Sequence, residues 1–144
     1  MTRDPDLYGT DEVVTHLLRD TAVWAVVGLS TSEERAAYGV ARLLQSRGKR
    51  IVPVHPRAQT VHGETGYASV QDAVFAVGPV DVVDCFVNSR RVGEVVDAAI
   101  AVGAKAVWLQ LGVVDEEAAR RARDAGLDVV MDRCPAIEWR RGMG

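Results

Sequence analysis

Cysteine is scarce in this sequence, dense basic stripes are absent and no apolar run is long. Cys85 and Cys134 are the only cysteines. They form neither a disulfide framework nor a zinc-ligand spacing, which fits a reduced, cytoplasmic protein. No signal-peptide pattern opens the chain, and no apolar stretch is long enough to span a bilayer. The formal net charge is -3, so nucleic acid is not expected as a main partner. Repeats, low-complexity segments and linkers are missing too. So are a Ser-His-Asp set and a Walker motif. No catalytic residue and no metal site is therefore expected.

What remains is a chain of 144 residues with 48% apolar content. That suffices for one domain over residues 1–144, with its own core. Apolar, β-branched segments alternate with amphipathic ones. Strands are expected to begin near Val23, Ile51, Val80, Ala104 and Asp128, and the third should run from Val80 to Val87. Between and around them the spacing predicts helices. Thr10 caps the first, Glu33 to Arg47 forms the second and Ser69 caps a brief third. Arg91 to Val102 is the fourth, Asp115 caps the fifth, and Ala136 to Arg141 ends the chain as a helical turn. Met1 to Gly9 reads as polar and loose. Thr60-Val61-His62-Gly63-Glu64 reads as a short edge strand or hairpin. Strand–helix alternation of this kind gives an α/β doubly wound sheet of five parallel strands with helices on both faces. The second strand should lie beside the first and the other three on its far side. Ligands then bind beyond the strand C-termini, where the chain order reverses.

The strand tips are polar or small. After Val23-Trp24-Ala25-Val26-Val27 come Gly28, Leu29, Ser30, Thr31 and Ser32, leading into a helix. Such a turn gathers backbone N–H groups at a helix N-terminus and favours a phosphate. It is not the G-x-G-x-x-G dinucleotide fingerprint, because Ser30 and Glu33 replace its second and third glycines. The second tip is His55-Pro56-Arg57. An NAD site places an acid here, on the adenosine ribose. Arg57 suits a phosphorylated ribose instead, either the 2′-phosphate of NADP or the 3′-phosphate of coenzyme A. The remaining tips carry Val87-Asn88-Ser89-Arg90, Gln110-Leu111-Gly112 and Arg133-Cys134-Pro135. Cys85 reads as a small buried residue. Asp81 and Asp84 read as structural, His16 as a helix-surface residue and His62 as a loop residue.

Val26-Val27-Gly28-Leu29-Ser30, Val52-Pro53-Val54-His55-Pro56, Val107-Trp108-Leu109-Gln110-Leu111-Gly112 and Val130-Met131-Asp132-Arg133-Cys134-Pro135 together resemble a known family. It is that of the stand-alone CoA-binding proteins, similar to the CoA-binding domain of succinyl-CoA synthetase α subunits and NDP-forming acyl-CoA synthetases. The resemblance spans Leu17 to Trp139. It implies a Rossmann-like fold and binding of CoA or an acyl-CoA, without catalysis by the chain alone. Carried over, the Gly28 to Ser32 turn would hold the diphosphate with help from Arg35. His55, Pro56 and Arg57 would meet the ribose phosphate and adenine, His55 standing where relatives commonly have Asn. Phe86, Val87 and Arg90 would flank the adenine or pantetheine. Gln110 and Cys134 would face the far end of the ligand. The synthetases also use a phosphorylated His in a further domain, and His16, His55 and His62 match no such motif. The alternative is an NADP-linked reductase or a detached CoA-ligase subunit needing a partner chain. A homo-oligomer or protein partner is compatible with either reading.

Overall fold

Parallel strands covered on both faces need apolar residues at nearly every position. Five segments meet that demand: β1 (Val23–Val27), β2 (Arg50–Val54), β3 (Val82–Cys85), β4 (Ala106–Leu109) and β5 (Asp128–Val130). The computed structural model describes residues 3–143. It joins the strands into one sheet of order β2-β1-β3-β4-β5, with every neighbouring pair parallel. The chain order reverses across β1, as expected, and opens a crevice at the tips of β1 and β3.

Helices α1 (Pro5–Tyr8), α2 (Asp11–Asp20), α3 (Ala36–Ser46), α4 (Val70–Val77), α5 (Val92–Ala101), α6 (Glu116–Asp124) and α7 (Pro135–Met143) surround the sheet. Side chains alternate along each strand, so the sheet feeds two cores. On one face Trp24, Val26, Val82 and Trp108 pack with Leu17 and Leu18 of α2, Val40 and Leu44 of α3, and Trp139 of α7. On the other, Ala25, Val83, Val107 and Leu109 pack with Ala73 of α4, Val96 of α5 and Ala122 of α6. Trp24 and Trp108 meet at the centre of the first core, ring centroids 5.6 Å apart. Each indole N–H finds an acceptor there: Thr21 Oγ1 at 2.7 Å for Trp24 and the Arg133 carbonyl at 2.9 Å for Trp108. The side chains of Thr10, Ser69 and Asp115 each accept a first-turn N–H and so start α2, α4 and α6.

Several expectations need correction. Residues 5–8 are not loose: Asp4 caps α1, and Leu7 and Tyr8 are buried. The apolar signal was two residues long, too short to show a period, and its partner surface comes from α6 and β5. The helix expected from Glu33 begins only at Ala36. The third strand is shorter than Val80 to Val87, spanning Val82–Cys85, because pairing with β1 ends where the Gly28 turn begins. Of the two forms expected for Thr60 to Glu64, the structure has the hairpin, a two-residue turn closed by one antiparallel Val61–Glu64 bridge. The last helix is longer than expected, nine residues from Pro135.

Candidate functional site

The turn after β1 is held at close quarters. Gly28 donates its N–H to the Val54 carbonyl at 2.8 Å and has φ +100°. A Cβ there would lie 2.9 Å from the Phe86 carbonyl oxygen. Only glycine meets both conditions. Leu29 then turns into the core and is fully buried. Ser30 and Ser32 face the crevice, the Ser32 N–H donating to Ser30 Oγ at 3.2 Å. Arg35 is the N-cap of α3 and supplies no side-chain cap. The first-turn N–H groups of Ala36 and Ala37 have no intrahelical acceptor, and both residues line the crevice. Serine hydroxyls, free N–H groups, the positive end of a helix dipole and a guanidinium thus meet at one place. That combination is chemically suited to an anion.

At the β2 tip, His55 Nδ1 accepts the Arg57 N–H at 3.1 Å. This bond folds the turn and aims Pro56 and Arg57 along the same crevice. At the β3 tip, Asn88 Oδ1 accepts from the N–H groups of Arg90 and Arg91 and closes the turn that leads into α5. Arg91 thereby lines the crevice and Arg90 does not. At the β4 tip, Gln110 continues the ladder through its N–H to the Cys85 carbonyl, 3.1 Å. Its side chain is nearly buried, and Oε1 has no hydrogen-bond partner.

The result is an open cavity of about 960 Å³ over the tips of β1 to β4. Three arginines, Arg35, Arg57 and Arg91, stand against one carboxylate, Glu94, in its walls. Of the residues expected at the site, Gly28, Ser30, Ser32, Arg35, His55, Pro56, Arg57, Phe86, Val87 and Gln110 line it. Leu29, Thr31, Arg90 and Cys134 do not. The Thr31 N–H and hydroxyl turn toward Gln59 Oε1 instead. Sequence reasoning missed Arg91 and the walls built by Ser69 and Val70 of α4 and by Val95 and Ala98 of α5. Asn88-Ser89-Arg90-Arg91 did carry a signal for Arg91, since an Asn side chain that bonds the backbone two residues on makes a turn. The α4 and α5 walls come from lateral packing, which no local pattern records.

Cys134 belongs to a second cavity of about 480 Å³, on the far side of Leu111, which borders both. Arg133 holds this region together. Its guanidinium donates to the carbonyls of Tyr8 and Gly9, each at 3.0 Å, and to Glu138 at 2.9 Å. The Gly112 N–H and the Arg3 guanidinium hold the Asp132 carboxyl below its usual range, against the opposing pull of burial. Among the described residues no group of His, Cys, Asp and Glu has the clustering to hold a metal ion. No helix there is long and apolar enough to cross a membrane.

Comparison with known proteins agrees with this geometry. The family model described as CoA binding domain matches residues 22–140. The uncharacterized protein YneT of Bacillus subtilis (strain 168) is 31% identical over 121 residues, 84% of this chain and 87% of that protein. A hypothetical protein from Pyrococcus horikoshii OT3 superposes with a TM-score of 0.89 at 37% identity, covering 100% of this chain and 99% of the other. The dinucleotide forming acetyl-coenzyme A synthetase 1 of Ca. Korarchaeum cryptofilum superposes with a TM-score of 0.70 at 26% identity. That match covers 81% of this chain but 27% of the synthetase. The chain belongs to the CoA binding domain family.

Proposed function

We propose that this chain binds coenzyme A in the cavity over the tips of β1 to β4 and catalyses no reaction by itself. The observation that carries the reading is the charge of the cavity: three guanidinium groups against one carboxylate, set around a helix N-terminus. The ligand is therefore rich in phosphate. The diphosphate lies against Ser30, Ser32 and the start of α3, with Arg35 beside it. Arg57 pairs with the ribose 3′-phosphate, at the tip where an NAD site would carry an acid. His55 supports the turn through Nδ1. The size of the cavity is at the upper end for small-molecule sites, as an extended ligand requires.

Calorimetry with CoA, dephospho-CoA, NAD and NADP tests this. CoA should bind more tightly than dephospho-CoA by about 10- to 100-fold, the effect of one charge-assisted contact. Arg57→Ala should remove that difference and leave dephospho-CoA unchanged. NAD binding more tightly than CoA would overturn the reading. NADP binding with CoA silent would move the site to a reductase instead.

A further inference from the structure

The carboxyl of Asp84 is unexplained by anything above. It is fully buried in β3, and neither oxygen has a hydrogen-bond partner. It stands level with Val26 of β1 and Trp108 of β4, on the face occupied by Leu29, Val40 and Ala41. Among the described residues no cation pairs with it. A lone carboxylate in such surroundings takes up a proton rather than remain charged. A protonated carboxyl is a hydrogen-bond donor, and burial acts on Asp84 in that direction.

Gln110 supplies the matching acceptor. Trp108 lies opposite Asp84, and alternation returns the side chain two residues later to the same face. Gln110 is therefore the diagonal neighbour of Asp84, one row nearer the strand tips. With strands about 4.8 Å apart and a rise of about 3.3 Å per residue, such diagonal positions are about 8 Å apart, within reach of a long side chain. Gln110 is 6% exposed and also lines the cavity. Its orphaned atom is the carbonyl oxygen, Oε1.

We propose that protonated Asp84 donates to Gln110 Oε1 and so fixes the amide with its N–H2 toward the cavity, where it donates to a carbonyl oxygen of the ligand's pantetheine arm. Asp84 is then a positioning residue, and Gln110 is the group that reads the arm. The ligand half of this inference rests on the CoA reading; the Asp84–Gln110 bond does not. Two acceptors share the required chemistry, an amide carbonyl of the arm and the thioester carbonyl of an acyl-CoA.

The test uses calorimetry with CoA, acetyl-CoA and adenosine 3′,5′-bisphosphate, which has no arm. Gln110→Met should weaken acetyl-CoA about 3- to 10-fold, the effect of one neutral hydrogen bond, and leave the bisphosphate unchanged. Asp84→Leu should do the same, while Asp84→Asn, whose amide can still donate to Oε1, should keep the parent affinity. Thermal melts of each variant establish that it folds before its affinity is compared. Equal weakening of CoA and acetyl-CoA assigns the amide carbonyl; greater weakening of acetyl-CoA assigns the thioester. Infrared spectra at neutral pH should show the carbonyl stretch of a protonated acid in the parent protein and not in Asp84→Asn. Absence of that band overturns the Asp84–Gln110 bond whatever binds. Acetyl-CoA affinity unchanged in Gln110→Met overturns the role of the amide and leaves CoA binding standing. A parent protein that binds the bisphosphate but gains nothing from the arm overturns the ligand half alone. A parent protein that binds neither overturns the CoA reading with it.

Discussion

The two cysteines differ in what surrounds them. Cys85 is fully buried in β3, and burial pushes its thiol well above the ordinary range. Cys134 is half-buried in the wall of the second cavity. Alkylation requires a thiolate that reagent can reach. Iodoacetamide should therefore label Cys134 in the native protein and reach Cys85 only after unfolding, as peptide mapping with and without denaturant will show. Labelling of native Cys85 would contradict its placement. The sequence distinguished the two by position alone: one inside a strand pattern, one at a strand end. It placed Cys134 at the ligand rim, and the structure puts Leu111 between Cys134 and the main cavity.

Among the elements, the turn from β1 to α3 is the most constrained. Gly28 combines positive φ with a close approach to the Phe86 carbonyl, so it ties β1 to both neighbouring strands. Gly28→Ala should cost about 1–3 kcal/mol of stability through backbone strain, read from the midpoint of urea unfolding. It should also weaken CoA binding, because pushing the turn off β3 moves Ser30 and Ser32. A variant with parent stability would show that the turn relaxes freely. The glycine and the hydroxyl residues were legible in the sequence because the strand-to-helix change in period brackets them. The start of α3 at Ala36 was not. Glu33 and Glu34 are good helix formers, yet Ser32 to Arg35 form a turn of their own, closed by the Arg35 N–H to the Ser32 carbonyl.

At the scale of the whole molecule, Asp84 sets a pH dependence. Its folded pKa lies above the ordinary carboxylate value of 3.8, so the folded state holds a proton that the unfolded chain releases. Stability from this group is fully present below about pH 4 and is lost as pH rises toward the folded pKa. Asp84→Asn escapes that loss. The stability gained by Asp84→Asn should grow by about 1.4 kcal/mol per pH unit until the folded pKa is passed. Urea unfolding of both proteins from about pH 5 to about pH 8 measures it. A gain that does not change with pH would mean that Asp84 is ionised in the fold.

By itself the sequence determined the element alternation, the parallel sheet and the Gly28 to Ser32 turn after the first strand. These depend on local period, on caps such as Ser69 and Asp115, and on backbone demands such as that of Gly28, all written within a few residues. It also gave Arg57, because the second strand ends in a motif whose place in such folds is fixed. Tertiary structure alone decided which face each tip residue presents. Arg91 rather than Arg90 lines the cavity because Asn88 closes the turn that leads into α5. Leu29 is core because the turn folds inward, and Cys134 stands apart because Leu111 intervenes. Asp84 and Gln110, 26 residues apart in the chain, become diagonal neighbours only through the register of β3 on β4. Register between strands is set by packing over the whole sheet, and no local pattern contains it.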